Sequence, residues 1–297
     1  MKVFLVLHIV SYIGLILLSG CTGKTDTPES TVLSADESSQ VVTVSMHRIV
    51  LDREMKMSIY LPPAYSSDVA YPVLYLLYGY GGKHDTWFEY LHINGVADRL
   101  IEQGKMAPVI IVSPDYGNSF GVNSQVGEGR DPGSVDIGPY EDYLTQEVIP
   151  YVDSQYSTVM GKEGRYVGGA SMGGYAALYL GFNYPELFSK VGAHSAALWD
   201  YTSTDQFIGQ RDWLYANEAL REIRDPFKLA ESQRLDEMQV YLDSGTEDAL
   251  TEKDYLLYML LRMKGIDAQW VSHLGGHNSS YWSSQLENYL IFYNGSI

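Results

Sequence analysis

The chain has a single cysteine, Cys21, among its 297 residues. No intrachain disulfide can form, and no cysteine-rich zinc site can be built. Basic residues are scarce: 20 Lys and Arg stand against 37 Asp and Glu, giving a formal net charge of −17. A surface this acidic repels phosphate backbones, so composition argues against a nucleic-acid partner. Internal repeats are absent, and so is any second linker within the body of the chain. What is plentiful is apolar material. Hydrophobic residues make up 45% of the chain and charged residues 19%, which supports a sizeable core and excludes disorder over most of its length.

The N-terminus reads as an address rather than a fold element. Residues 1–20 carry Lys2, an apolar run from Val3 to Leu18, and the small pair Ser19-Gly20, the pattern of a secretory signal. Leu18-Ser19-Gly20-Cys21 resembles the bacterial lipobox, in which the cysteine is lipidated and becomes the mature N-terminus. The expectation is an extracytoplasmic lipoprotein anchored to a membrane of the bacterial cell envelope through Cys21. Residues 22–40 are rich in Ser, Thr, Asp and Glu and predict a flexible tether. A single catalytic domain is expected over residues 41–297.

Within that domain, strand and helix patterns alternate. Val41–Leu51 and Met55–Leu61 predict an opening hairpin. Val73–Tyr78, bounded by Pro72 and Gly79, predicts a buried central strand, and Val109–Ser113 another. Further strands are expected at Arg165–Gly168, Val191–His194, Gln239–Leu242 and Gln269–His273. Tyr140, Leu144, Val148 and Val152 recur at helical spacing, with Pro150 expected to bend or end that helix. A second helical face carries Leu250, Leu257, Leu260 and Leu261, with Gly265 as its C-cap, and a third lies in Tyr281–Tyr293. This alternation predicts an α/β fold with a mostly parallel sheet, its site at the carboxyl ends of the strands.

Gly169-Ala170-Ser171-Met172-Gly173 fits G-x-S-x-G, placed between a strand pattern and a helix pattern. A serine on such a sharp turn needs small neighbours two positions away on each side, and Gly169 and Gly173 supply them. The helix N-terminus then directs its free N–H groups at the reacting oxygen. Ser171 is therefore the candidate nucleophile. A serine needs a base, and the base an orienting acid. His194, His273 and His277 lie downstream; His277, after Gly275-Gly276 in a loop at the sheet's carboxyl end, is favoured. Of the carboxylates in Asp243-Ser244-Gly245-Thr246-Glu247-Asp248, Asp248 is favoured because it lies beyond the glycine turn; Asp243, whose alternative role is to order the turn, and Glu247 stay open. Two backbone donors are needed for an oxyanion. Met172 N–H is one candidate, and Tyr80 N–H, with Gly81 next, is the other.

Taken in order, LYLLYGYGG, DTWFEY, YEDYLTQEVIPYVD, GASMGGYAAL, the Gly-Thr-Glu-Asp turn and Gly-Gly-His resemble the esterase D family of α/β-hydrolases. That family includes feruloyl and acetylxylan esterases (carbohydrate esterase family 1), S-formylglutathione hydrolases, tributyrin esterases and mycolyltransferases. The resemblance spans residues 41–297. It implies an α/β-hydrolase fold with helices on both faces of the sheet and a serine esterase activity that needs no cofactor and no metal. It places nucleophile, acid and base on Ser171, Asp248 and His277, and the oxyanion donors on Tyr80 and Met172. Two departures stand out. The family usually has His-Gly where this chain has Tyr78-Gly79, which alters how the oxyanion loop is braced. The glycine-rich segment 115–138 is expected to reshape one wall of the cleft.

The expected substrate is an acetyl or feruloyl ester on polysaccharide, or another short-chain ester; an acyltransferase or a noncatalytic glycan binder are the alternatives. Trp87, Phe88, Trp199, Phe207, Trp213 and Trp282 are candidate stacking residues, with packing the more ordinary role for most of them. His84-Asp85 makes no metal site without further ligands, and Asp131 and Asp136 read as a solvated loop rather than a Ca²⁺ site. Nothing in the sequence fixes an oligomeric state.

Overall fold

The computed structural model describes residues 38–128, 134–199 and 208–296. The signal segment, Cys21, the tether up to residue 37, Asp131 and Phe207 lie outside the described residues.

The described residues form one eight-stranded sheet in the order β1-β2-β4-β3-β5-β6-β7-β8. Its strands are β1 (Gln40–Arg48), β2 (Arg53–Leu61), β3 (Val73–Leu77), β4 (Ile110–Pro114), β5 (Arg165–Ala170), β6 (Lys190–His194), β7 (Gln239–Gly245) and β8 (Asp267–His273). The opening hairpin pairs β1 with β2 antiparallel, and β2 runs antiparallel to β4. From β4 onward every neighbouring pair is parallel. Each expected strand is present. β1 starts one residue before the expected domain boundary, because Gln40 already pairs with Leu61.

Every side chain of β3, β4 and β5 is buried. Successive side chains point to opposite faces, so both faces of the central sheet are covered. That is why these strands read as continuous apolar runs and not as alternating patterns.

Helix α1 (Ile93–Glu102) follows β3, and α2 (Tyr140–Asp142) runs on into a π-helical stretch, Tyr143–Val148, and then α3 (Ile149–Gln155). Of the two expected effects of Pro150, it does not end the helix: helical residues run through it to Gln155. The widened turn before it re-registers the hydrogen bonds, so Pro150 falls in the first turn of α3, where its missing N–H costs nothing. Tyr140, Leu144, Val148 and Val152 are all buried, as their spacing predicted.

Helix α4 (Met172–Asn183) packs on β5, β6 and β3, with all but its last residue buried. Three short helices follow β6: α5 (Ile208–Leu214), α6 (Glu218–Arg224) and α7 (Pro226–Ser232). Helix α8 (Thr251–Met263) buries Leu257 and Leu261 and ends before Gly265, whose φ of 78° suits glycine. Helix α9 (Ser279–Asn294) buries Leu286, Tyr289, Leu290 and Tyr293. Its Tyr293 hydroxyl reaches down to Gly168 and Gly192, which pair across β5 and β6; a Cβ on either would lie 1.8 Å from that oxygen.

Candidate active site

Ser171 sits between the end of β5 and the first residue of α4, with φ 57° and ψ −116°. A non-glycine residue in that region is strained, and the surrounding backbone holds it there. Ser171 N–H donates to His194 O at 2.9 Å, and Ser171 O accepts from Ala197 N–H at 2.9 Å. Both flanking glycines are required. A Cβ on Gly169 would lie 2.5 Å from the Gly173 carbonyl, and one on Gly173 would lie 2.2 Å from Leu77 O.

His277 lies in the loop between β8 and α9. Its Nε2 is 2.8 Å from Ser171 Oγ, and its Nδ1 is 2.9 Å from Asp248 Oδ2. The Asp248 side chain is 0% exposed while that of His277 is 31% exposed, so the carboxylate is sealed and the imidazole stays open to solvent. Asp248 Oδ1 also accepts Leu250 N–H at 2.9 Å. Burial alone raises the pKa of this carboxyl. Hydrogen bonds from His277, the Leu250 amide and the Ser195 hydroxyl, with the charge of His277, outweigh burial and hold it below the usual carboxylate value.

The loop after β3 lies against this elbow. A Cβ on Gly79 would come within 3.4 Å of Ser171 Cβ, and one on Gly173 would come within 2.7 Å of Tyr78 O. Gly82 N–H closes the loop onto Gly79 O at 2.9 Å. Gly81 N–H, the second oxyanion candidate, is already donated to Asn118 Oδ1 at 2.8 Å. Tyr80 N–H and Met172 N–H have no acceptor among the described residues. The structure thus brings together Ser171, His277, Asp248 and the Tyr80 loop.

The other candidates are placed elsewhere. His273 is exposed at the end of β8. Asp243 does not order the turn as its alternative role supposed. It points into the core, where its carboxylate accepts from His194 Nδ1 at 2.7 Å, Tyr281 hydroxyl at 3.0 Å and Tyr289 hydroxyl at 2.9 Å. His194, one of the three candidate bases, is fully buried against the Tyr289 ring. His84 Nδ1 pairs with Ser58 Oγ and its N–H donates to Asp115. Asp136 accepts Asn118 N–H at 2.7 Å. Trp87, Phe88, Trp199 and Trp213 are buried packing residues.

Two residues near the triad had no motif to reveal them. Ser195 is buried with φ 48°; its hydroxyl accepts from Trp282 Nε1 at 3.2 Å and helps to hold the Asp248 carboxyl below its usual pKa. Trp282 in turn packs edge-on to the His277 ring, with centroids 5.3 Å apart. The positive φ of a non-glycine residue is a structural signal that no sequence pattern carries. Asp254, on α8, is also buried; desolvation first, then the charges of Asp248 and Asp243, push its carboxyl well above the usual value.

Known esterases resemble this chain in sequence and fold. An acetyl esterase of Caldicellulosiruptor saccharolyticus is 23% identical over 231 residues, covering 72% of this chain and 80% of the relative. A longer endo-1,4-beta-xylanase/feruloyl esterase of Xylanibacter ruminicola is 31% identical over 140 residues, 46% of this chain and 18% of that protein. A solved ferulic acid esterase superposes with a TM-score of 0.74 at 26% identity, covering 87% of this chain and 99% of the other. The sheet order and these likenesses make the fold that of an α/β-hydrolase. Residues 49–293 match the family described as "Putative esterase", and the chain belongs to that family.

Proposed function

We propose that this carboxylesterase works through an acyl-enzyme, with Ser171 as nucleophile, His277 as base and Asp248 as acid. The observation that carries the reading is the unbroken hydrogen-bond path from Ser171 Oγ through His277 to Asp248. His277 Nε2 takes the hydroxyl proton as Ser171 Oγ attacks the ester carbonyl. Asp248 holds Nδ1–H, fixing the tautomer that leaves Nε2 free to accept and stabilising the imidazolium. Tyr80 and Met172 N–H groups receive the oxyanion, and the positive end of α4 adds to the stabilisation. His277 returns the proton to the leaving alcohol. Water, deprotonated by the same imidazole, then releases the acid and restores Ser171.

The substrate we assign is an acetyl or feruloyl ester carried on polysaccharide. The names of the acetyl esterase and feruloyl esterase relatives support this choice. The test is release of p-nitrophenol from acetate, butyrate and octanoate esters, and of ferulate from methyl ferulate, by wild type and Ser171→Ala. Turnover lost in Ser171→Ala supports the mechanism, and the acyl ranking selects the substrate class. Full turnover by that variant refutes it.

The cellular address is part of the same proposal: lipidation at Cys21, a tether over residues 22–40, and residence at the cell envelope. Its support is the apolar run ending at Leu18-Ser19-Gly20-Cys21. Expressed in a bacterium fed labelled palmitate, the wild-type protein should take up the label and Cys21→Ser should not; equal labelling rejects lipidation at Cys21.

A further inference from the structure

The expected departure at Tyr78 has a partner that sequence does not reveal. Tyr78 and Tyr116 are both buried, with ring centroids 4.6 Å apart. Their bonds run in both directions. The Tyr78 hydroxyl accepts Tyr116 N–H at 2.7 Å. The Tyr116 hydroxyl donates to the backbone carbonyl of Tyr78. Two residues beyond Tyr116, Asn118 Oδ1 takes the N–H of Gly81, three residues beyond Tyr78, at 2.8 Å, and the Asn118 N–H is itself held by Asp136 at 2.7 Å. The Tyr80 hydroxyl reaches Ser134 O at 2.6 Å.

These contacts bracket one peptide unit. The Gly79–Tyr80 peptide carries Tyr80 N–H on one edge and Gly79 O on the other; Gly82 N–H holds that oxygen at 2.9 Å, and the Tyr78 carbonyl and the Gly81 N–H fix the two flanking peptides. A glycine in such a loop gives the backbone wide freedom, so a neighbouring peptide plane can rotate at little cost unless something holds it. An oxyanion donor contributes only when it is aimed before the charge develops. The segment 116–118 therefore does more than form a wall of the cleft.

We propose that Tyr116 and Tyr78 are positioning residues of the oxyanion hole: their reciprocal hydrogen bonds fix the 78–80 backbone so that Tyr80 N–H points at the position the oxyanion takes. This rests on the reading of Ser171 and Tyr80 given above. Neither tyrosine touches substrate. Tyr116→Phe keeps the ring and its packing but releases the Tyr78 carbonyl. Tyr78→Phe releases the amide of Tyr116.

The experiment compares the full chain with Tyr116→Phe, Tyr78→Phe and Ser171→Ala. It reads p-nitrophenyl acetate hydrolysis, thermal midpoint, and inhibition by 1,1,1-trifluoro-4-phenylbutan-2-one, which forms a tetrahedral adduct with a nucleophilic serine. Tyr116→Phe should lower kcat about tenfold with little change in KM, since misplacement of a catalytic group costs rate and not ground-state binding. Inhibition by the ketone should weaken by a similar factor, because the adduct carries the oxyanion. A purely structural role would lower the thermal midpoint and leave kcat and ketone affinity unchanged. That result in both tyrosine variants, with Ser171→Ala inactive, overturns the positioning role alone. Turnover retained by Ser171→Ala overturns the underlying reading and this one with it. Should Tyr116→Phe fail to fold, Tyr78→Phe carries the same comparison from the other side of the clasp.

Discussion

Asp243 and Asp248 leave the same end of β7, yet each serves a different histidine: Asp243 binds the buried His194, and Asp248 binds the cleft-facing His277. The first pair is fully enclosed and lies among tyrosines; the second reaches Ser171 Oγ. Identical side chains thus take opposite tasks because one points into the core and the other over the sheet's edge.

Exchanging each acid for its amide should separate the two tasks. Asp248→Asn should lower kcat by about 10⁴, because an amide permits the wrong imidazole tautomer, while the fold is retained. Asp243→Asn should instead destabilise the fold by about 3–5 kcal/mol, the cost of breaking a buried pair, with the folded fraction still active. Chemical denaturation beside ester hydrolysis checks both.

Ser195 supports Asp248 from a strained backbone. Ser195→Ala and Ser195→Gly both remove its hydroxyl, and each should reduce kcat by about tenfold at nearly constant KM. The glycine variant should be the more stable of the two, by about 1 kcal/mol, because only glycine adopts φ 48° without penalty. Equal thermal midpoints in the two variants would contradict the strain at this position.

Asp254 predicts a pH-dependent gain. Its folded pKa is raised by burial and by the nearby charges of Asp248 and Asp243, so the folded state keeps a proton that the unfolded chain has lost. Stability is therefore drained as pH rises from the unfolded value toward the folded one. Asp254→Asn removes this drain. It should match wild type below about pH 4 and exceed it increasingly toward neutrality, as read by urea midpoints across that range.

The Tyr293 hydroxyl leaves no room for a methyl group at Gly168 or Gly192. Alanine at either position should cost about 1–3 kcal/mol, the usual penalty of overpacking a tight core. A thermal midpoint equal to wild type would show that α9 can shift to accept it.

Sequence by itself determined the strands and the elbow that carries Ser171. Apolar runs such as Val73–Tyr78 are long enough and bounded sharply enough to read as buried strands, and Gly169 and Gly173 fix the elbow through contacts only a few residues apart. Local chemistry of this kind is written along the chain. The tertiary structure decided what depends on distant approach. Asp248 meets His277 across 29 residues, and His277 meets Ser171 across 106. Loop position and the family resemblance both favour Asp248, but neither says what its rival Asp243 does: it holds His194, 49 residues away. The clasp of Tyr78 and Tyr116 joins segments 38 residues apart. Pro150 continues a helix because a widened turn precedes it, a change of hydrogen-bond register that residue spacing does not encode. In each case the deciding quantity is the direction of a side chain or a peptide plane once the sheet has brought remote segments together, and one-dimensional pattern carries no direction.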